Sequence, residues 1–276
     1  MAGHAVTRTP AVAAGAVAVS MGAKKTGEVN SLLRGLAVMR SLCKAESSLG
    51  NGDIAALTNL PKSTVSRITS TLTAHGYLQL DSPHRRYRPG PAALLLGYGQ
   101  LANWNVVQIA RPYLKPLANY SRGVVAVGAP LDNSMVFVQC ERGPADISFS
   151  VDVGLQVPID LSAMGWAYMY SLDAPVRDEL LQRMRQHRGS SWPKIRKAID
   201  QAFSEIERRG FCVAAGFWKS DISAVGVPLR IPGRGLHLGL ICGAPRSMIT
   251  TDDLVKDLGP RLVDAAARIA RLTKEL

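Results

Sequence analysis

Aromatic side chains make up only 6% of the 276 residues, so Leu, Ile, Val and Ala must do most of the packing. Cysteine is scarce too. Cys43, Cys140, Cys212 and Cys242 include no C-x-x-C pair and match no zinc-ribbon spacing, which argues against a structural metal site. A chain of this length has no need of disulfide staples, so reduced thiols are expected. The five histidines, His4, His75, His84, His187 and His237, stand at no nucleophile spacing from a Cys or Ser. H-E-x-x-H, G-x-S-x-G and Walker patterns are missing. No catalytic residue, metal ligand or cofactor is therefore assigned, and an enzyme is not expected. No stretch reaches the ~18 uninterrupted apolar residues of a membrane span. Residues 10–21 form an Ala/Val/Gly run after Arg8 but hold no Leu, Ile or Phe. They read as part of a disordered leader over residues 1–28, or as a start placed too early, rather than as a signal peptide. A cytoplasmic protein without a membrane partner is the expectation.

Positive charge is what the chain has in surplus, with a formal net of +12. Such a balance suits a polyanionic partner, nucleic acid or an anionic membrane surface. Its placement says more than its total. Residues 24–90 hold ten Lys/Arg against four Asp/Glu, while the 186 residues from 91 onward hold 22 against 17. The N-terminal third is the nucleic-acid candidate. Apolar residues make up 47% of the chain, enough for a sizeable core, and its length suggests two domains.

Periodicity predicts a first helix over 30–44, with Leu32, Leu36, Met39 and Leu42 on one stripe and Asn30 or Ser31 as cap. Residues 47–52 read as a loop and 53–59 as a short helix burying Ile54 and Leu57. Leu60-Pro61 breaks it, and Pro61 can open a third helix over 62–75. Gly76 stands where a left-handed cap belongs. Residues 77–80 alternate as a strand, 81–84 read as a turn, and Arg85-Arg86-Tyr87-Arg88 as a return strand. Residues 92–101 are Leu-rich and helical, suited to a linker or a dimer contact.

Beyond them a helix over 107–121 is expected despite Pro112 and Pro116, then strands over 124–129, 135–141 and 147–151. Helices over 162–171, 176–187 and 193–209 follow. Strands over 211–215, 222–227 and 235–242 and a final helix over 251–274 complete a mixed sheet with helices around it.

A helix seated in the major groove needs one apolar face for its own domain and short polar and basic side chains on the other. Residues 62–75 offer both, with Val65, Ile68 and Leu72 inside and Ser63, Thr64, Ser66, Arg67, Ser70 and Thr71 around them. Arg67 is the candidate for a base contact, and Lys62, Ser63 and Ser66 for phosphate or base contacts. Arg85, Arg86 and Arg88 suit phosphate or the minor groove. Lys24 and Lys25 could form a basic arm. A Ser/Thr-rich helix with some basic residues is also a common solvated face. The order helix, short helix, break, helix, basic hairpin is more specific.

These residues resemble the IclR family of bacterial regulators. The resemblance is carried by 31–38, by Leu60-Pro61-Lys62-Ser63-Thr64-Val65-Ser66-Arg67, by Gly76-Tyr77-Leu78 and by 86–90. It continues through Gly154, Pro158, Ser162-Ala163-Met164-Gly165, Arg209-Gly210-Phe211 and 221–228. It implies an α+β chain with four parts: a leader over 1–28, a winged helix-turn-helix over 29–90, a linker helix over 91–104, and a GAF-like mixed α/β effector domain over 105–276. It also implies a homodimer, often paired into a homotetramer, on double-stranded operator DNA. The implied effector is a small molecule, an organic acid or an aromatic. The alternative is a GAF-like metabolite-binding protein or enzyme with a basic N-terminal domain.

A small-anion pocket needs free N–H groups at a helix start and a few convergent polar side chains. Ser162, Ala163 and Gly165 open a helix after a Gly/Pro loop, and Trp218 could wall the pocket. The resemblance adds Asp221, Ser223 and Cys242 on neighbouring strands. Ser162 could equally be only a cap, Trp218 only core, and Cys242 only a small buried residue. One stretch departs from the family: many members carry acidic residues where this chain has Ala214-Ala215-Gly216-Phe217-Trp218-Lys219. Other members' pocket chemistry does not carry over there, and a carboxylate held by Lys219 is an open option.

Overall fold

A computed structural model describes residues 28–45, 47–102, 104–144, 151–231, 233 and 235–274. Glu28 apart, the expected leader lies outside the described residues, as do Lys24 and Lys25. The chain divides into two compact units, Met1–Gln100 and Leu101–Leu276.

In the first unit α1 (Asn30–Lys44), α2 (Asn51–Thr58) and α3 (Lys62–Ala74) pack around Val38, Leu42, Leu49, Ile54, Val65 and Leu78. A small antiparallel sheet completes it, in the order β1 (Leu49–Gly50), β3 (Arg86–Pro89), β2 (Leu78–Asp81). α2 begins two residues before the expected start. Its first turn holds Asp53, whose carboxylate accepts the Gly50 N–H at 2.9 Å. Asn59 ends it in the left-handed region at φ 55°, and Pro61 at φ −57° leads into α3, so the break falls where proline dictates. Gly76, at φ 74°, turns the chain after α3.

α1 corrects the expected stripe. Ala37, Val38, Ser41 and Leu42 are buried, while Leu32 is 60% and Leu36 47% exposed. The helix carries two overlapping apolar stripes, and only its neighbours decide which one is covered. Neither Asn30 nor Ser31 caps it; Val29 holds that place without a side-chain bond. Arg85 is not on the return strand but in the turn before it, at φ 49°. α4 (Pro91–Ala102) leads onward with Leu94, Leu95, Leu96 and Tyr98 exposed.

The second unit is built on a six-stranded sheet. Its order is β6 (Gln156–Pro158), β5 (Ser134–Arg142), β4 (Val124–Leu131), β9 (Leu236–Pro245), β8 (Ile222–Ile231), β7 (Cys212–Ala215). The expected mixed sheet is antiparallel at every pairing, because β4–β5 and β8–β9 are hairpins and β6 and β7 return beside them. The strand expected over 147–151 lies outside the described residues except for Val151, which is buried in irregular chain.

Period-two alternation sorts the strand residues into two cores. Val125, Val127, Val225, Val227, Leu240 and Cys242 face α5 (Asn105–Ser121) and α10 (Gly259–Lys274). Val124, Ala126, Phe137, Ala214 and Ala224 face α6 (Ala163–Ser171), α7 (Ala174–Arg188) and α8 (Trp192–Arg209). α5 runs unbroken through Pro112 and Pro116, which both sit on its exposed face, where water can serve the carbonyls they leave unpaired. The expected single last helix is instead one capped turn, α9 (Thr251–Asp253), a π-helical turn over Leu254–Leu258, and α10.

α6 lies flush on the sheet. Gly165 rests against the backbone of Ile159, and Gly226 of β8 against the carbonyl of Ala163, closer than any Cβ would allow. The loop before α6 is tied down by Asp160, only 3% exposed. Its carboxylate accepts Arg188 Nε at 2.6 Å and Nη2 at 2.8 Å, and its carbonyl accepts Trp166 Nε1 at 2.9 Å. Arg188 keeps part of its side chain in solvent, which moderates the cost of losing its partner. Asp160→Ala is expected to lower unfolding free energy by about 2–3 kcal/mol in urea titrations. A loss below about 0.5 kcal/mol would show that the pair contributes no more than a surface bridge.

Candidate nucleic-acid interface and ligand cavity

The outward face of α3 carries Lys62, Ser63, Ser66 and Arg67, all exposed, with Ser70 and Thr71 continuing it. Val65 and Thr69 are fully buried beneath them, and Thr69 Oγ1 donates to the Val65 carbonyl at 3.0 Å. Ile68 and Leu72 are only half-buried. Thr64 is half-buried as well. With Arg67 it lines a groove whose other walls are Leu32, Leu36 and Met39 of α1 and Leu96 of α4.

The three wing arginines part company. Arg85 sits exposed at the hairpin tip. Arg88 is exposed on β3, with Nε donating to Gln79 Oε1 at 3.1 Å across the strand pair. Arg86 turns inward. Its Nε donates to the Ser48 carbonyl at 2.9 Å, and its Nη2 stands 3.2 Å from Asp53 Oδ2. That guanidinium joins the start of α2 to the sheet and is committed before any ligand arrives. Alternation along a strand would put Arg86 and Arg88 on one face and Arg85 on the other, but it carries no information about a nearby carbonyl that can capture one of them.

The second unit holds a cavity between the α6 side of the sheet and the loop after β7. It encloses about 630 Å³ of atom-free space, its open mouth included. Its walls come from Val124, Phe137, Val157, Ile222, Ala224 and Ile241, with Phe217, Trp218 and Lys219 on the loop. Ser162 and Ala163 stand at its edge. Ser162 caps α6: its Oγ accepts the Gly165 N–H at 3.2 Å and donates to the Pro158 carbonyl at 2.8 Å. The amides of Ala163 and Met164 belong to the first turn, where no intrahelical acceptor exists. Phe217 meets Trp166 edge to face at 5.1 Å, and the Lys219 ammonium lies 4.9 Å from the Trp218 ring centroid.

Of the expected pocket residues, Ser162, Ala163 and Trp218 come together here. Gly165, Asp221, Ser223 and Cys242 do not line the cavity. Gly165 serves the close contact with Ile159. Asp221 is exposed, and its carbonyl accepts the Arg246 N–H at 2.7 Å. Ser223 and Cys242 are buried on the opposite face of their strands; one residue of parity puts Ile222, Ala224, Ile241 and Gly243 on the cavity side instead. Burial pushes the Cys242 thiol up to about 11, which keeps it protonated at neutral pH. Taking Trp218 and Ala214 as walls fixes the facing residues by alternation, a signal present in the sequence.

Residues 31–82 match the IclR helix-turn-helix domain, and residues 99–271 the C-terminal domain of bacterial transcriptional regulator IclR. The chain is 31% identical over 257 residues to the HTH-type transcriptional regulator TsaQ1/TsaQ2 of Comamonas testosteroni, covering 90% of this chain and 92% of that protein. It is similar to the crystal structure of an IclR family transcriptional regulator from Brucella abortus, at TM-score 0.78 and 33% identity over 89% of this chain and 93% of that one. An IclR homolog from Microbacterium hydrocarbonoxydans, crystallised in complex with 4-hydroxybenzoate, shares the fold at TM-score 0.73 and 19% identity, over 89% and 100% of the two chains. For the wing, Arg86→Gln is expected to destabilise the first unit by about 1–2 kcal/mol. Arg88→Gln, measured by the same thermal melt, leaves it unchanged; equal effects would show that Arg86 is no tie.

Proposed function

Because this chain belongs to the IclR family of bacterial transcriptional regulators, we propose that a small molecule in the cavity beside α6 adjusts its hold on operator DNA. Its relatives are regulators, not enzymes, and the helix-turn-helix is a DNA-binding domain. This disposes of the alternative of a GAF-like enzyme with a basic appendage. Ligand binding would shift the balance between arrangements of different operator affinity. The protein acts in the cytoplasm, where the duplex is.

On the duplex, α3 enters the major groove. Arg67 takes a base edge, and Lys62, Ser63 and Ser66 take neighbouring phosphates or bases, with Thr64 closing the helix start. Arg85 and Arg88 are the wing's phosphate contacts, and Arg86 supports them from within. Leu32, Leu36, Leu94, Leu95, Leu96 and Tyr98 expose an apolar surface that a second copy covers, as a dimer on a palindromic site requires.

One observation carries the effector assignment. The cavity walls are apolar, and among its lining residues Lys219 is the single charged group. That combination suits a molecule with a flat apolar body and one acidic group, facing Lys219 and the first-turn amides of α6. The neighbour that binds 4-hydroxybenzoate supports this class.

Arg67→Ala is expected to weaken specific operator binding by about 1–3 kcal/mol while leaving random duplex binding near its original strength, measured by anisotropy. Equal losses on both duplexes would reduce Arg67 to a phosphate contact. Lys219→Gln is expected to weaken an aromatic carboxylate about 10- to 100-fold in calorimetric titration, and its neutral amide much less. Parallel losses would mean that Lys219 only packs.

A further inference from the structure

The charge of the second unit is not spread evenly. Residues 91–276 hold 22 Lys/Arg and 17 Asp/Glu, yet residues 180–199 hold six of those cations and none of the acids. The remainder is left with 16 against 17, close to neutral. The surplus of this domain therefore sits on one corner, where α7 ends and α8 begins.

Two of the six cations are spent locally. Arg188 pairs with Asp160, and Arg196 with Asp200 at 2.8 Å. Arg183, Arg185, Lys194 and Lys197 are exposed, and among the described residues no ion pair holds them. Elsewhere in this unit several cations are paired, Arg142 with Asp152, Lys256 with Asp252, Arg261 with Asp257 and Arg268 with Asp264, and those without an ion pair among the described residues, such as Arg122, Arg208 and Arg271, are scattered along the chain rather than gathered in one acid-free stretch. Each of the four stands within about 9 Å of the corner along its helix, at about 1.5 Å per residue. The corner itself, Gly189–Ser191, is small and exposed and shields none of them. Met184, Trp192 and Ile195 pack into the α6–α8 core, so the corner offers no exposed apolar anchor of the kind a protein partner needs.

We propose that the α7–α8 corner is a second DNA contact, taking backbone phosphates of duplex outside the stretch read by α3 and the wing. This rests on the DNA-binding reading above. A duplex presents a phosphate about every 1.7 Å and needs no fixed partner geometry, which suits four long, unpaired cations. Once α3 holds the operator, the rest of that duplex is at high effective concentration for the same chain. The contact carries no sequence information. It strengthens binding to long sites over short ones and makes it more salt-sensitive.

The test uses the full-length protein with R183Q, R185Q, K194Q and K197Q combined. Binding to a long operator-containing duplex is followed by anisotropy across a salt series. The slope of log affinity against log salt is expected to flatten by about 2–4, at about 0.9 for each phosphate the variant no longer neutralises, while a duplex trimmed to the helix-turn-helix site is bound almost as before. If the quadruple variant melts early, the K194Q/K197Q pair is expected to give about half that change. An unchanged slope on the long duplex overturns the proposal. So does an unchanged slope joined to abolished binding of poly-glutamate, which would mark the corner as a protein-binding surface. Wild-type protein that binds no duplex at all would instead overturn the DNA-binding reading, and this inference with it.

Discussion

The second unit hangs on one contact, the backbone of α6 set directly against the backbone of the sheet. Gly226 of β8 and Gly239 of β9 make it possible, since a side chain at either place would run into the backbone of Ala163 or Met164 and lift the helix away. With the helix pressed down, Ser162 and the first-turn amides arrive at the edge of the sheet rather than above it. The pair of buried Asp160 with half-buried Arg188 ties the approach loop to the end of α7. The cavity is the space left between the start of α6 and the loop of Phe217, Trp218 and Lys219. A helix riding higher would deepen the cavity but withdraw the polar groups at its edge.

Much of this was legible in the residues, and the failures have physical causes. The break at Leu60-Pro61, the helix after it and the glycine at 76 are local matters of backbone chemistry, and they appear where expected. The stripe on α1 is not local, because Leu32 and Leu36 are as apolar as the buried Val38 and Leu42. The wing arginines look alike in sequence and differ only in what lies within reach: a carbonyl at Ser48 for Arg86, a glutamine at 79 for Arg88. Around the cavity parity decides: Cys242 and Ser223 lie on its strands but face the other way, and a period of two keeps them out of its lining. Gly165 lay in the right motif, but it belongs to the packing that forms the cavity rather than to its lining.

Charge is arranged differently in the two units. In the first, the cations of α3 and the wing face outward with few acids beside them, apart from Arg86, which Ser48 and Asp53 engage. In the second, many cations stand beside a carboxylate, as Lys256, Arg261 and Arg268 do one helical turn away, while the α7–α8 corner gathers several that do not. Pairing of this kind adds little stability at a surface. Its larger effect is to cancel long-range attraction, so that what remains uncancelled sets how a polyanion is oriented as it approaches.

The two cores of the second unit are separated by a single sheet of backbone. Ile241 touches the cavity while its neighbour Cys242 is buried against the α5 side, and Ala224 and Val225 are divided in the same way. Nothing else insulates the two compartments along those strands. A guest that pushes on one wall therefore pushes on a diaphragm one residue thick, and α5, packed on its far side, has no cushion of its own. The sheet divides the domain in space and joins it mechanically, and the same alternation does both.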